Sequence, residues 1–395
     1  MNRVIEIKDL AQAKRELAAI GSQDAGIELM APKAVQRVIK LTQIRSVAAN
    51  IIKQEILSYG GEAATAYGAV NLSAEKTDLL IIGTIKQLGL LVAKLKQHQF
   101  GLPVIAREIE RLLANYDLTF DLLGLGRRTL VMGILNVTPD SFSDGGKFLD
   151  VKSAVAQAKQ MIADGADIID VGGESSRPGA KAVSAQEEIS RVFPVIEQLS
   201  AETKVLISVD TTKAEVAKKA ITAGAKMVND ISALRADSDM AKVVANNNLP
   251  VCLMHIKGTP QNMQDKPEYS DLMGEIIGYL AEGLAIAKRA GILISNLIVD
   301  PGIGFGKTVA HNLEILDKLK ELKVLGCPIL VGPSRKSFIG QTLDLPVEDR
   351  LEGTLAAVTI AIANGADIIR VHDVKESRRV VRLTDAIINK GGGKR

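Results

Sequence analysis

The chain has 395 residues, 47% of them hydrophobic, and a formal net charge of +3. This length predicts two domains, or one barrel with an added module, and the apolar content is enough for a large core. Aromatic residues make up only 3% of the chain and tryptophan is absent. A nearly neutral protein with so few stacking side chains is not expected to bind nucleic acid.

The two cysteines, Cys252 and Cys327, lie inside apolar runs and form neither a disulfide framework nor a metal-ligand spacing. The first residues lack the apolar stretch of a signal peptide. No run approaches the ~18 consecutive apolar residues of a membrane helix. We therefore expect a cytoplasmic protein with no membrane partner.

Residues 1–125 carry no recognisable catalytic motif and predict a small α+β module. The composition is rich in Lys, Gln, Ala and Leu, and apolar stretches alternate with helical ones. A packing or dimerisation role is the favoured interpretation, and a regulatory or partner-binding role is the alternative. The predicted strands are Arg3–Ile7, Ile27–Met30 and Thr77–Gly83, and the predicted helices are Pro32–Leu57 and Ile85–His98.

Residues 126–390 alternate short apolar runs with helical stretches, which is the pattern of a parallel α/β sheet. Eight such runs predict a TIM (β/α)8 barrel, although an open doubly wound sheet has the same alternation. The tail, residues 391–395, is expected to be disordered. The predicted strands are Leu130–Asn136, Asp167–Gly172, Val205–Asp210, Lys226–Asp230, Pro250–His255, Asn296–Asp300, Pro328–Gly332 and Asp367–His372.

Three similar stretches support repeated βα units: residues 163–170, 222–229 and 363–370. In each of them a glycine ends a helix and a strand begins two residues later. Glycine suits the left-handed conformation that commonly follows a helix. The three glycines are Gly165, Gly224 and Gly365.

Polar side chains gather where the predicted strands end, which is where barrel enzymes place their active sites. The carboxylates and amide of Asp210, Asn229 and Asp300 suit the N–H and C=O edges of a polar heterocycle. Lys336 would reach a carbonyl or a ring nitrogen. Donor and cationic groups suit a phosphorylated group; they are Asn136, Arg177, Arg370 and His372.

Five ordered blocks of sequence resemble the dihydropteroate synthase family, over roughly residues 126–390. The first block, Gly-Ile-Leu-Asn-Val-Thr-Pro-Asp-Ser-Phe-Ser-Asp-Gly-Gly, is the most specific. The one departure is Ser176, where the family often carries threonine, and the hydroxyl is kept. The blocks are Gly133–Gly146, Asp170–Gly179, Asp300–Lys307, Ser334–Gly340 and Arg370–Asp373.

The resemblance implies a condensation that joins p-aminobenzoate to a dihydropterin bearing a CH2-pyrophosphate group, with release of pyrophosphate. By similarity, four residues would hold the pterin: Asp210, Asn229, Asp300 and Lys336. Met254 and Phe305 would line its slot, and the Arg370 guanidinium would lie against the pterin face. The family is usually dimeric, so a homodimer is expected.

The resemblance also assigns the anion and the amine. Asn136, Arg177, Arg370 and His372 would hold the pyrophosphate, with Mg2+ neutralising it and Asn136 as the protein ligand of the metal. The catalytic residues would be Lys336, Arg370 and Asp210, and no general base is assigned because an arylamine is largely unprotonated at neutral pH. The candidates for the p-aminobenzoate pocket are Ser176, Pro178, Lys336 and Ser337.

Other interpretations remain open. Asp210 and Asp300 would also suit helix N-caps, and His255 is more readily a core residue than a ligand. A pterin-dependent methyltransferase would share the carboxylates and the amide, but it would not need the anion-binding set or the long first block. A catalytically idle binding protein is disfavoured because every strand end keeps its polar residue.

Overall fold

The computed structural model describes residues 1–121, 123, 128–138, 147–175, 179 and 182–388. The chain divides into two units, Met1–Asp117 and Leu118–Arg395. Three predicted site residues lie outside the described residues, as does the predicted tail, residues 391–395; the three are Ser176, Arg177 and Pro178.

The first unit is an α+β fold with a three-stranded antiparallel sheet, so the predicted class is confirmed. Its strands are β1 (Gln36–Arg45), β2 (Glu62–Thr65) and β3 (Lys76–Thr84), and β3 lies between the other two. The helices are α1 (Leu10–Ala19), α2 (Asp24–Ala34), α3 (Ser46–Ser58), α4 (Tyr67–Val70), α5 (Ile85–Leu95) and α6 (Leu102–Tyr116).

The larger of two apolar clusters in the first unit lies between the sheet and its helices. Ile39 and Leu41 on β1 alternate with exposed residues, so one face of the sheet is buried. Leu88 and Leu91 on α5 belong to the same cluster, as does Ile52 on α3. The helices therefore cover one face of the sheet.

Three of the predicted N-terminal elements are wrong. Residues 3–7 form neither helix nor strand, and the predicted strand Ile27–Met30 lies within helix α2. The predicted helix Pro32–Leu57 is the end of α2, then strand β1, then helix α3. The strand was missed because its polar positions are Gln, Lys and Arg, which favour helices. The strand at Thr77–Gly83 and the helix over Ile85–His98 are confirmed as β3 and α5.

The second unit is a parallel eight-stranded barrel, which confirms the predicted fold and all eight predicted strands. The sheet order is β10-β11-β4-β5-β6-β7-β8-β9. A parallel bridge between Val299 and Ile329 links the two outer strands, so the barrel is nearly closed. The strands are β4 (Leu130–Asn136), β5 (Ile168–Gly172), β6 (Leu206–Asp210), β7 (Met227–Asp230), β8 (Val251–Met254), β9 (Leu297–Asp300), β10 (Leu330–Val331) and β11 (Ile368–Val371).

Helices alternate with these strands and pack around them. None of the described helices is long and apolar enough to cross a membrane. The helices are α7 (Lys147–Ala163), α8 (Ala185–Glu202), α9 (Ala214–Ala223), α10 (Met240–Asn247), α11 (Leu272–Arg289), α12 (Val309–Asp317), α13 (Ser337–Leu343), α14 (Leu351–Ala363) and α15 (Val374–Ile388), with short 3-10 helices at Ile294–Asn296, Leu319–Leu325 and Val347–Asp349.

The predicted glycine caps adopt left-handed backbone conformations. Gly224, which ends α9, has φ of 118°, and a Cβ added there would lie 2.4 Å from the Cβ of Ser200. Gly165 and Gly365 both have φ of 101°. The three similar stretches are therefore structural repeats that turn each helix back into the barrel.

The barrel interior is built in layers, and this layering places the polar residues. A lower layer is apolar and includes Ile168, Met227 and Ile298. Successive side chains of a strand point to opposite faces, so the residue two positions later points inward again, one layer higher. That upper layer therefore holds polar residues: Asp170, Asn229, Asp300 and Arg370.

Candidate active site

A cavity of about 720 Å3 opens at the C-terminal ends of the barrel strands. Asn229, Met254 and Asp300 are nearly buried at the base of this region. The structure thus brings together every predicted site residue that it describes. The predicted residues lining the cavity are Asn136, Asp210, Phe305, Lys336, Ser337, Arg370 and His372.

Arg370 is held from below by two carboxylates. Its Nε donates to Asp170 Oδ2 and its Nη2 donates to Asp210 Oδ2, both at 2.6 Å. Asn229 Nδ2 donates to the same oxygen of Asp170 at 3.0 Å. Asp170 is fully buried. The guanidinium plane is therefore fixed by partners on two neighbouring strands, β5 and β6.

The carboxyl groups of the site sit in a low-dielectric environment. Burial raises the pKa of Asp210 to about 7, although the Arg370 guanidinium acts in the opposite direction. The charge of Asp170 contributes to this rise. Burial also raises the pKa of Asp300, against Lys336. The cationic groups beside these carboxylates oppose the effect of burial and favour their charged form.

The loop after β9 depends on tight backbone turns. Asp300 Oδ1 accepts from the Gly302 N–H at 2.7 Å. Gly302 has φ of 68°, and a Cβ there would lie 1.9 Å from the carbonyl oxygen of His255. No other residue fits at this position, so Gly302 lets the loop pass close to strand β8.

Lys336 spans the cavity toward this loop. Its ammonium donates to the Ile303 carbonyl and lies 4.5 Å from the ring centroid of Phe305. Burial lowers the pKa of Lys336 to about 8, against the Asp300 carboxylate. Phe305 packs with Met254 in a small apolar cluster. The arrangement gives a flat slot with an apolar wall and a cation at its edge.

The opposite rim of the cavity carries His372. Its Nδ1 lies 3.0 Å from Ser334 Oγ, and its backbone N–H donates to the same hydroxyl at 3.2 Å. Arg335 has φ of 55° and pairs with Asp373 at 2.5 Å. This ion pair fixes the turn that carries Ser334 and Lys336.

Two buried groups lie behind the slot. Lys307 Nζ lies 2.9 Å from His255 Nδ1 and donates to the Phe305 carbonyl at 2.9 Å. Burial and the neighbouring Lys307 together lower the pKa of His255 to about 2. His255 is a buried, neutral imidazole against the ring of Tyr279, which agrees with its interpretation as a core residue.

Three residues of the site were not assigned a role from the sequence: Asp170, Ser334 and Lys307. The sequence does indicate a special role for Asp170, because it is the one carboxylate in the apolar run Ile168–Gly172. It follows Ile168, whose side chain points into the barrel, by two residues, so its own side chain also points inward. Ser334 and Lys307 gave no such signal. Their contacts depend on how separate loops pack against each other, and the spacing of residues along the sequence does not predict that packing.

Comparisons with known proteins agree with this geometry. The family model described as "Pterin binding enzyme" matches residues 132–372. Dihydropteroate synthase of Clostridium beijerinckii is 53% identical over 267 residues, which cover 67% of this chain and 97% of that protein. A probable bifunctional folylpolyglutamate synthase/dihydropteroate synthase of Haloferax volcanii is 41% identical over 396 residues, covering 95% of this chain and 46% of that protein.

Solved structures agree as well. Dihydropteroate synthase of Clostridium difficile, in the presence of pteroic acid, aligns with a TM-score of 0.64 at 47% identity, covering 68% of this chain and 98% of that one. The Xanthomonas albilineans enzyme with 4-aminobenzoic acid aligns with a TM-score of 0.63 at 45% identity, covering 66% of this chain and 93% of that one. The complex of the Xanthomonas albilineans enzyme with 7,8-dihydropteroate aligns with a TM-score of 0.60 at 42% identity, covering 66% of this chain and 94% of that one.

The barrel and its polar rim thus define a pterin-binding enzyme. At this identity, and with nearly the whole length of several relatives covered, the chain belongs to the dihydropteroate synthase family, a family of transferases. The region before the barrel has no counterpart in the shorter relatives. The Haloferax volcanii protein aligns along nearly the whole chain.

Proposed function

We propose that this protein condenses (7,8-dihydropterin-6-yl)methyl diphosphate with p-aminobenzoate, giving 7,8-dihydropteroate and pyrophosphate. The observation that carries the proposal is the Arg370 guanidinium, fixed between Asp170 and Asp210 beneath a cavity whose rim carries Asn136 and His372. A site with carboxylates below and donor groups above matches a polar heterocycle that bears an anionic substituent.

The pterin would lie at the base of the cavity. Asp210, Asn229 and Asp300 would bind its N–H groups, and the Lys336 ammonium would donate to its carbonyl or ring nitrogen. The ring would pack against Phe305 and Met254, which already form an apolar wall. Arg370 would then present one face of its guanidinium plane to the pterin.

The pyrophosphate would lie at the rim. Arg370, His372 and Asn136 would contact it, together with Arg177. Among the described residues, no cluster of three or more His, Cys, Asp or Glu side chains is arranged to hold a metal. Mg2+ commonly binds through one or two protein oxygens plus substrate phosphates and water. The amide oxygen of Asn136 fits such a substrate-borne Mg2+, which would offset charge on the leaving group.

The site supports carbon–oxygen bond cleavage without a side-chain nucleophile. The amine nitrogen forms a bond to the methylene carbon, the bond to pyrophosphate breaks, and the leaving group takes the bonding pair. The amine then loses a proton to water or pyrophosphate. Asp210 and Asp300 stabilise positive charge that develops on the pterin, and Lys336 keeps the ring oriented. The p-aminobenzoate would be bound beside Ser337, with Ser176 and Pro178 as further candidates.

The first 125 residues would serve packing or assembly rather than catalysis. The residues that line the cavity all belong to the second unit. A homodimer and a cytoplasmic location would fit an enzyme of folate biosynthesis without a membrane-spanning helix among its described residues.

The test is pyrophosphate release by the purified protein with the dihydropterin pyrophosphate, Mg2+ and p-aminobenzoate, followed by chromatography for 7,8-dihydropteroate. Amine-dependent release with product formation is expected. Pterin binding without turnover would instead point to a different acceptor, including the corrinoid acceptor of a methyltransferase. The Arg370→Ala variant serves as the inactive control, because its one guanidinium would contact both the pterin and the pyrophosphate of the substrate.

A further inference from the structure

The loop after β9 accepts a side-chain hydrogen bond at each of four consecutive backbone carbonyls, those of residues 303–306. We call residues 302–306 the slot loop, because Phe305 forms the apolar wall of the proposed pterin slot with Met254. Loop carbonyls have no helix or sheet ladder to pair with, so side-chain donors fix their orientation. The pairs of donor and carbonyl are Lys336–Ile303, Gln264–Gly304, Lys307–Phe305 and Tyr269–Gly306.

The slot loop depends on these donors because its backbone is rich in glycine. Three of its five residues are glycines, and two of them, Gly304 and Gly306, flank Phe305 with φ of 82° and 63°. Glycine loses more conformational freedom on ordering than any other residue. The position of the Phe305 ring is therefore set mainly by contacts that hold the neighbouring peptides.

The donors differ in their relation to the substrate. Lys336 is proposed to donate to the pterin, so its ammonium is shared between the Ile303 carbonyl and the ligand. Tyr269 and Lys307 lie outside the described lining of the cavity, so their bonds are compatible with a bound pterin. The slot loop therefore keeps fixed anchors when Lys336 contacts the ligand.

Tyr269 is the anchor that reaches the slot loop from the loop after β8. Its hydroxyl donates to the Gly306 carbonyl at 2.7 Å, one residue beyond Phe305. The ring meets the His311 ring edge-on at 5.0 Å, and the Lys257 ammonium lies 4.1 Å from its centroid. Burial raises the pKa of the Tyr269 hydroxyl, so this group is a protonated donor throughout the neutral range. Packing of the ring thus fixes the direction of the hydroxyl.

We propose that Tyr269 is a positioning residue for the pterin slot, which holds the slot loop through the Gly306 carbonyl so that the Phe305 ring is in place before the pterin binds. This inference rests on the proposed function, because Phe305 is assigned there to the wall of the pterin slot. A wall that is already ordered lowers the entropic cost of binding. Loss of the anchor should therefore weaken pterin binding and leave turnover at saturating substrate nearly unchanged.

The test is Tyr269→Phe, which removes the hydroxyl and keeps the ring. Tyr279→Phe is the matched control. The Tyr279 hydroxyl also donates to a backbone carbonyl, that of Ser232 at 3.1 Å, and its ring also packs edge-on against a histidine, His255. The control thus removes an equivalent hydrogen bond that does not reach the slot loop.

Tyr269→Phe is expected to raise the Kd of a pterin without a diphosphate group about 3- to 10-fold, as for the loss of one neutral hydrogen bond. The KM for the pterin substrate should rise with it, while kcat stays close to the wild-type value. The Phe305 amide donates to the Gly302 carbonyl at 3.0 Å within the slot loop. Hydrogen exchange at this amide should speed up in Tyr269→Phe and stay slow in Tyr279→Phe.

The proposal requires both changes in Tyr269→Phe, so a wild-type Kd or a wild-type exchange rate at Phe305 would overturn it. Equal changes in Tyr279→Phe would also overturn it, because both variants would then only loosen the packing around His255. The exchange measurement needs no substrate, so it tests the anchor even if the wild-type protein does not turn over p-aminobenzoate. Absence of wild-type turnover contradicts the proposed function alone, whereas an unprotected Phe305 amide in the wild-type protein contradicts the anchor alone.

Discussion

Arg370 Nε and Asp170 Oδ2 lie 2.6 Å apart at the floor of the cavity, and the same carboxylate oxygen accepts from Asn229. The two residues are 200 positions apart in sequence, on strands β11 and β5, which lie on either side of β4 in the sheet. Asp170 touches two residues proposed to bind the pterin. It therefore sets their orientation without itself lying in the lining of the cavity.

The Asp170→Asn variant is expected to bind the pterin about 10- to 100-fold more weakly, because hydrogen bonds to charged groups contribute about 1.5–3 kcal/mol. The asparagine keeps the shape but removes the charge that orients Arg370. Pterin Kd measured by calorimetry and kcat/KM from pyrophosphate release check this. Asp239→Asn, at an exposed ion pair, is the control; equal effects in both variants would refute the orienting role.

The pH dependence of pterin binding should have two limbs. Asp210, whose pKa burial raises to about 7, becomes protonated as the pH falls, so binding weakens below about 7. Lys336, whose pKa burial lowers to about 8, loses its proton as the pH rises, so binding weakens above that value. The association constant of a pterin without a diphosphate group, measured from pH 5.5 to 9.5, checks both limbs.

Lys336→Arg separates the two limbs. The guanidinium stays protonated throughout this range, so the alkaline limb should disappear while the acid limb remains. An alkaline limb that persists in Lys336→Arg would show that another group titrates there. Loss of both limbs would contradict the assignment of the acid limb to Asp210.

Acid sensitivity of the fold is predicted from His255. Burial and Lys307 lower its pKa from the ordinary 6.5 to about 2. Below pH 6.5 the unfolded chain binds a proton that the folded chain does not, so the free energy of unfolding falls as the pH falls. The contribution is about 1.4 kcal/mol per pH unit for one such group.

His255→Asn keeps an oxygen acceptor for Lys307 but does not titrate. Its free energy of unfolding in urea should therefore vary less between pH 6.5 and 5 than that of the wild-type protein. For each protein the slope of the free energy of unfolding against pH is measured, and the two slopes are subtracted, because carboxylates contribute equally to both. Parallel slopes would mean that His255 does not remain neutral in the folded protein.

Much of the barrel and its site could be predicted from the sequence, because both follow from local rules. A continuous apolar run that ends in a polar residue predicts a strand, and it also predicts that the last side chain lies in the polar upper layer of the barrel. Asp210, Asn229 and Asp300 could be assigned to the site in this way. The contact of Tyr269 with the Gly306 carbonyl could not be predicted, since it joins residues 37 positions apart in different loops. Strand β1 could not be predicted because its Gln, Lys and Arg residues favour helices. Its extended conformation depends on pairing with β3, which the local sequence does not show.

The role of the first unit is tested by removing it. A protein of residues 118–395 is expected to keep the kcat/KM of the full chain, because the Clostridium beijerinckii relative matches 67% of the chain over 97% of its own length. The described cavity lining also lies entirely within these residues.

Pyrophosphate release and light scattering measure turnover and oligomeric state together. Full activity with a changed oligomeric state would establish an assembly role, and insoluble protein would establish a packing role. Soluble, correctly folded protein with much reduced kcat/KM would contradict both and assign the unit a part in catalysis.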